Sequence, residues 1–353
     1  MTQKRRAILW MIFSISLAVL WPVSGLSTII HIWAPFTWAT CLGMVLLSYA
    51  RLRGVEHPIP CPEIFCLLSS HAPGLMFSFF LPSSRVPSVD EFLLAFDGRF
   101  FAYAGEAVGK IFRQHLGLAL LCMIVYLALP LAGTMVYLAL PSLNIRRKYF
   151  IASALAMSIL LFFRICPAAG PAFWLADFPF TIPILAAPHS RIIPSVILNA
   201  IPSGHVAWAV LIFWFACRYC GKVTQIAMGT FCFFTCLATL GLGQHYLIDL
   251  IVAIPFAAIL WALVHRQWRF AGISMLVVLT WLVVLREGWI LPLPPVLVWV
   301  IIGMTVAPFT LGADDWAGFA TCAGLGPAAL HLSDETGEPE STPAQATYPS
   351  AAL

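Results

Sequence analysis

Two short stretches of this chain place ionisable groups where apolar helices begin, and together they could carry phosphoryl-transfer chemistry. The first is Ile201-Pro202-Ser203-Gly204-His205. A serine before an apolar run is a natural N-cap, and a helix start containing glycine presents free backbone N–H groups at the positive end of the helix dipole. Such a terminus suits a phosphate. The second stretch is Gly243-Gln244-His245-Tyr246-Leu247-Ile248-Asp249. On a helix, His245 and Asp249 lie one turn apart on one face. The carboxylate can accept a hydrogen bond from one imidazole nitrogen, fix the tautomer and leave the other nitrogen as base or nucleophile. A carboxylate at membrane depth costs about 2.5–3.5 kcal/mol on insertion scales, so a paired, functional Asp249 explains its presence better than chance does.

A lone histidine in an apolar helix is usually a packing or interface residue. His205 and His245 read differently because each opens a helix on the same expected face and one has a carboxylate a turn away. Two histidines and an aspartate could also hold zinc, but no H-E-x-x-H and no third clear ligand accompany them, so neither metal nor cofactor is expected. His31, His71, His115 and His189 have no carboxylate at helical spacing and read as interface residues. Cys217 and Cys220 form a C-x-x-C with no second pair nearby, and packing is the expectation for them.

The pairing of P-S-G-H at one helix start with H-Y-x-x-D at the start of the helix two later resembles the type 2 phosphatidic acid phosphatase (PAP2) superfamily. Within it, the branch containing inositol phosphorylceramide synthases is the closer match. Residues 148–265 carry the resemblance, and the acidic stretch Val89-Asp90-Glu91-Phe92-Leu93-Leu94-Ala95-Phe96-Asp97 adds to it weakly. The resemblance implies that His245 is the nucleophile that becomes phosphorylated, Asp249 its support, and His205 the general acid on the leaving group. Ser203 and Gly204 would contact phosphate oxygens. Two departures stand out. Ala238 and Thr239 occupy the positions of the family's Ser-Arg pair, and Met157 stands where a lysine is expected seven residues before Arg164. Arg164 and Arg191 are then the cations on the same face that could clamp a phosphate. Loss of the Ser-Arg pair fits the transferase branch better than the generic phosphatase.

These residues must be positioned by membrane helices. Of 353 residues, 61% are apolar and 10% charged, with a mean hydropathy of +0.92, outside the range of ordinary soluble domains. A span needs roughly 20 apolar residues, and the runs here are helix-length rather than alternating strands. About ten spans are expected, near 8–25, 30–50, 61–82, 115–138, 148–166, 204–219, 224–242, 248–264, 271–286 and 293–311. Alternating them from a cytoplasmic N-terminus gathers Lys4 to Arg6, Arg51, Arg53, Arg146, Arg147, Lys148, Arg218, Lys222, Arg266 and Arg269 on one side, as the positive-inside rule requires. Both termini then face the cytoplasm, and His205 and His245 face the other side. The net charge of +4 is accordingly a topology signal, with no basic stripe for nucleic acid.

The expected organisation is N-terminal membrane helices over 1–84, an amphipathic extracytoplasmic segment over 85–114, a PAP2-like core over 115–265 and two further spans over 266–311. A polar tail over 312–353 reads as disordered. The fold class is an all-α polytopic membrane protein of about ten transmembrane helices with a PAP2-like core. The expected function is phosphotransfer on a lipid phosphoester at the non-cytoplasmic face through a phosphohistidine. A phosphatase of the same superfamily is the alternative, and a transporter or degenerate member the alternative of another class. The expected partners are a lipid phosphate substrate and the bilayer. The sequence does not fix the oligomeric state.

Overall fold

The computed structural model describes residues 3–20, 28–58, 62, 88–175, 177–180 and 200–310. The expected span at 61–82, Arg191 and the tail from 312 lie outside these, apart from Pro62. The regular structure among the described residues is all helical, with no strand. Helix α1 (Gln3–Leu20) pairs with α2 (Thr28–Leu52). A second group follows: α3 (Asp90–Phe101), α4 (Ala104–Gln114), α5 (Leu116–Leu127) and α6 (Leu129–Ala139). Next come α7 (Leu143–Leu155), a 3-10 turn (Ala156–Ser158), α8 (Ile159–Ile165) and the single turn α9 (Pro171–Trp174). The remainder is α10 (Gly204–Tyr219), α11 (Lys222–Gly241), α12 (Leu247–Val264), α13 (Trp268–Arg286) and α14 (Pro295–Thr310).

Four stretches are long and apolar enough to cross a membrane: Leu143–Ile165, α11, α12 and α13. A fifth arises if α4 and α5, which meet at 118°, count as one broken span. The expected span 115–138 is interrupted at Ala128. Its cause is Pro130, which has no N–H to give the carbonyl one turn earlier, that of Tyr126. The expected span 148–166 starts earlier, at Leu143, where Ser142 accepts the N–H of Ile145 as an N-cap. The later expectations match the bounds of α10 to α14 to within about three residues at each end, though of these only α11, α12 and α13 are long and apolar enough to cross a membrane.

Helix α12, LIDLIVAIPFAAILWALV, is apolar on every side and lies at the centre of the bundle, with 72% of its span buried inside the protein against 28–39% for the other three stretches. It packs on α7, α10 and α13, and α3 crosses near its start. Phe215, Phe256, Trp261 and Ile248 are buried around it.

The apolar face of α4 carries Gly105, Gly109 and Phe112, set against the end of α11, while Glu106, Lys110 and Arg113 lie off that face. The glycines allow close approach: a Cβ on Gly109 would sit 3.5 Å from the Gly241 carbonyl oxygen.

Basic residues collect at the end of the bundle opposite His245. Arg146 donates to the carbonyls of Leu140 (3.1 Å) and Glu56 (3.0 Å), and Tyr219 meets His265, the C-cap of α12, at 3.0 Å.

Candidate active site

The starts of α10 and α12 are tied directly together, since the Ser203 N–H donates to the backbone carbonyl of Asp249 at 3.2 Å. Ser203 is fully buried and caps α10, its hydroxyl accepting the N–H of Val206 at 3.4 Å. Gly204 and His205 form the first turn. His205 is half-buried and lies near enough to His245 for their charges to interact. Its ring is stacked on Tyr126 of α5, centroids 3.9 Å apart and planes within 16°.

His245 is 5% exposed and sits in the short connection between α11 and α12. Both it and Gln244 donate backbone N–H groups to the Thr239 carbonyl, at 3.3 and 3.0 Å. Gly243 makes the turn in the left-handed region (φ 65°). Ala238 and Thr239, at the positions of the missing Ser-Arg pair, are fully buried, and Thr239 serves through its main chain.

The Nδ1–H of His245 donates to the backbone carbonyl of Ala200 at 2.7 Å. Asp249 Oδ2 is farther from the same nitrogen, at 3.5 Å, and accepts the Tyr246 N–H at 2.8 Å. The expected carboxylate is therefore beside the ring nitrogen, with the Ala200 carbonyl as the nearer acceptor. At a helix start, an unsatisfied backbone N–H competes for a nearby carboxylate, and here it takes the shorter bond. Oδ1 of Asp249 is buried with no hydrogen-bond partner among the described residues.

The sequence reading missed what holds Ala200. Its N–H donates to the Ala168 carbonyl (2.8 Å), and the adjoining N–H groups of Ala169 and Gly170 donate to the carboxylate of Asp90, at 2.8 and 2.9 Å. Asp90 is fully buried and also accepts from the hydroxyls of Ser88 and of Tyr246, the latter at 2.9 Å. Burial pushes the Asp90 carboxyl up, and these donors pull it back down. One carboxylate thus joins α3, the 166–171 segment and the residue next to His245. The available signal was a pair of aspartates seven apart on the same face as Leu93, Phe96 and Phe100, an apolar stripe that should have excluded them.

The second member of that pair, Asp97, accepts the N–H of Leu247 in the first turn of α12 at 3.1 Å. Burial raises its carboxyl to about 6, the Leu247 N–H lowers it, and the Asp249 charge raises it further. The folded protein therefore holds this proton more tightly than the unfolded chain does. The contribution favours folding fully below about pH 4 and is lost as pH rises through about 6, a span worth roughly 3 kcal/mol. Asp97→Asn is expected to flatten this decline in thermal-unfolding midpoints measured in detergent between pH 4 and 7.

Gly170 packs hard against the His245 loop. Its φ is 94°, and a Cβ there would stand 2.3 Å from the Gln244 carbonyl oxygen. Gly170→Ala is expected to lower stability by more than about 3 kcal/mol, because neither backbone can give way. Gly272→Ala on α13, where a Cβ meets nothing within 4 Å, should leave the unfolding midpoint within a degree or two of wild type.

Arg164 lies exposed in the last turn of α8. At the next residue, Arg286 from the last turn of α13 donates to the Ile165 carbonyl at 3.0 Å. No group of three or more His, Cys, Asp and Glu side chains able to hold a metal ion occurs among the described residues.

A search of curated proteins and one of solved structures returned no match. A family model does match, and it takes in Asp97, both histidines and Asp249: residues 91–263 match the PAP2 superfamily.

Proposed function

We propose that this protein is a membrane phosphotransferase that acts on lipid phosphoesters at the non-cytoplasmic surface through a phosphohistidine at His245. The observation that carries the proposal is the 2.7 Å bond from His245 Nδ1 to the Ala200 carbonyl. A carbonyl can only accept, so Nδ1 carries the proton and Nε2 is left with its lone pair free. Nε2 attacks phosphorus in line, forming an N–P bond as the P–O ester bond breaks. The departing oxygen takes a proton from His205. In the second half, the acceptor hydroxyl gives its proton to His205 and its oxygen bonds phosphorus as the N–P bond breaks. The Asp249 carboxylate, 3.5 Å from Nδ1, offsets the positive charge of the phosphorylated ring.

The family match over 91–263 supports chemistry of the phosphatase and phosphotransferase type. The Ser203–Gly204 helix start, with Arg164 and Arg191, would hold the phosphate oxygens. A ten-span topology with both termini cytoplasmic agrees with the basic residues at the end opposite the histidines. That the histidines sit at helix starts, rather than midway along α10 and α12, favours an enzyme over a transporter.

The test is to offer the purified protein phosphatidic acid or phosphatidylinositol with isotopic phosphorus, with and without ceramide or diacylglycerol, and quench in alkali. Protein-bound label that acid releases, followed by label in a new phospholipid when a lipid alcohol is present, is the expected result. Label appearing only as free phosphate from phosphatidic acid, or as inositol phosphate from phosphatidylinositol, would make the enzyme a hydrolase. Turnover with no label on the protein would overturn the covalent mechanism.

A further inference from the structure

The two histidines are held in opposite ways. His245 is fixed by its edge, through Nδ1 and the Ala200 carbonyl. His205 is fixed by its face, and no hydrogen bond to either of its ring nitrogens occurs among the described residues. We infer that Tyr126 is a positioning residue for His205, its ring setting the plane of the imidazole so that one nitrogen points at the oxygen that leaves phosphorus and later at the acceptor hydroxyl. This rests on the proposed role of His205 as the general acid.

Three observations carry the inference. The stack is close and nearly parallel, at 3.9 Å and 16°. Tyr126 is itself packed against the buried cluster of Phe112, Ala119, Cys122, Ala238 and Leu242, so the platform under His205 is braced from α5 and α11. Stacking leaves the ring edge open, which an acid needs if it is to give up a proton and take one back in each cycle. An aromatic face also attracts a cation through its quadrupole, so the contact is stronger with the imidazolium than with neutral imidazole. The phenolic hydroxyl has no part in this. Phenylalanine should serve as well, and an aliphatic side chain should not.

A purely structural residue would affect all substrates alike, whereas in forming the phosphorylated protein a group that positions an acid matters only where the leaving group needs a proton; kcat/KM reports that step and excludes the later transfer to the acceptor, which is common to both substrates. The experiment compares a short alkyl phosphate, whose alkoxide leaves poorly, with 2,4-dinitrophenyl phosphate, whose phenolate leaves unaided. Tyr126→Leu is expected to lower the ratio of alkyl to dinitrophenyl kcat/KM about tenfold, and Tyr126→Phe to keep it within about twofold of wild type. Tyr126→Met keeps the bulk without the ring and gives the same reading should the leucine variant not elute as a single species in detergent. Equal losses on both substrates, or an unchanged ratio, would overturn the inference. His205→Ala separates this outcome from failure of the underlying mechanism. If it lowers the ratio while Tyr126→Leu does not, only the positioning role falls. An unchanged ratio in His205→Ala would remove the acid role and the Tyr126 inference with it.

Discussion

Replacing His245 with alanine is expected to abolish turnover of lipid phosphoesters, by at least about 10³-fold, while the protein still elutes as a single species in detergent. The size follows from the nature of the step: losing a covalent nucleophile removes the reaction path itself, so losses far exceed those from a weakened contact. The fold should survive because α12 is anchored independently of the imidazole, by the Tyr246 N–H to Asp249, the Leu247 N–H to Asp97 and the Tyr246 hydroxyl to Asp90. The loss should lie in kcat, and the acid-labile label should vanish with it. Millimolar imidazole supplied in solution is expected to restore a small part of the turnover by taking the phosphoryl group in place of the missing ring. Wild-type rates in His245→Ala would end the histidine mechanism.

The second large effect is expected at Asp90, 156 residues before Tyr246 at the start of α12 and yet bonded to it. Asp90→Ala leaves the Ala169 and Gly170 N–H groups and the Tyr246 hydroxyl without their acceptor in a buried setting. Each orphaned group costs about 1–3 kcal/mol, and relief from burying the carboxylate returns part of that, so a net loss of about 3 kcal/mol is expected. Asp90→Asn should fall between the two, since its one remaining oxygen cannot accept from every donor and its NH₂ would face an N–H. Turnover should drop further than stability alone explains, because the Ala168 carbonyl that holds Ala200 belongs to the same segment. Thermal unfolding in detergent and turnover at a temperature where each variant is folded would measure both. A loss under about 1 kcal/mol with full turnover would contradict the tether.

How much of this was legible in the sequence depended on the range of the contact. Helices α10 to α13 could be read because their apolar runs are long and their ends carry local signals, as Ser203 does for α10. His205, His245 and Asp249 could be singled out because polar groups at the start of apolar helices are costly and so conspicuous. Tyr126 could not, since one tyrosine in an apolar helix looks like any other and its stacking partner lies on α10, in another part of the chain. Asp90 was visible only as part of an acidic stretch, because its bonds reach Ala169, Gly170 and Tyr246 across the fold. The interruption at Ala128 was marked by Pro130 but hidden by the continuous hydrophobicity around it.

The bond from His245 to Ala200 has a genetic consequence. Every residue type carries the same carbonyl, so the acceptor that holds Nδ1 of His245 cannot be deleted by substitution at position 200. Glycine or serine there should leave the reaction intact, and a bulkier residue should fail only through crowding, since the site is fully buried. A mutational scan would therefore score position 200 as a small, tolerant packing site while passing over the atom that sets the tautomer of His245.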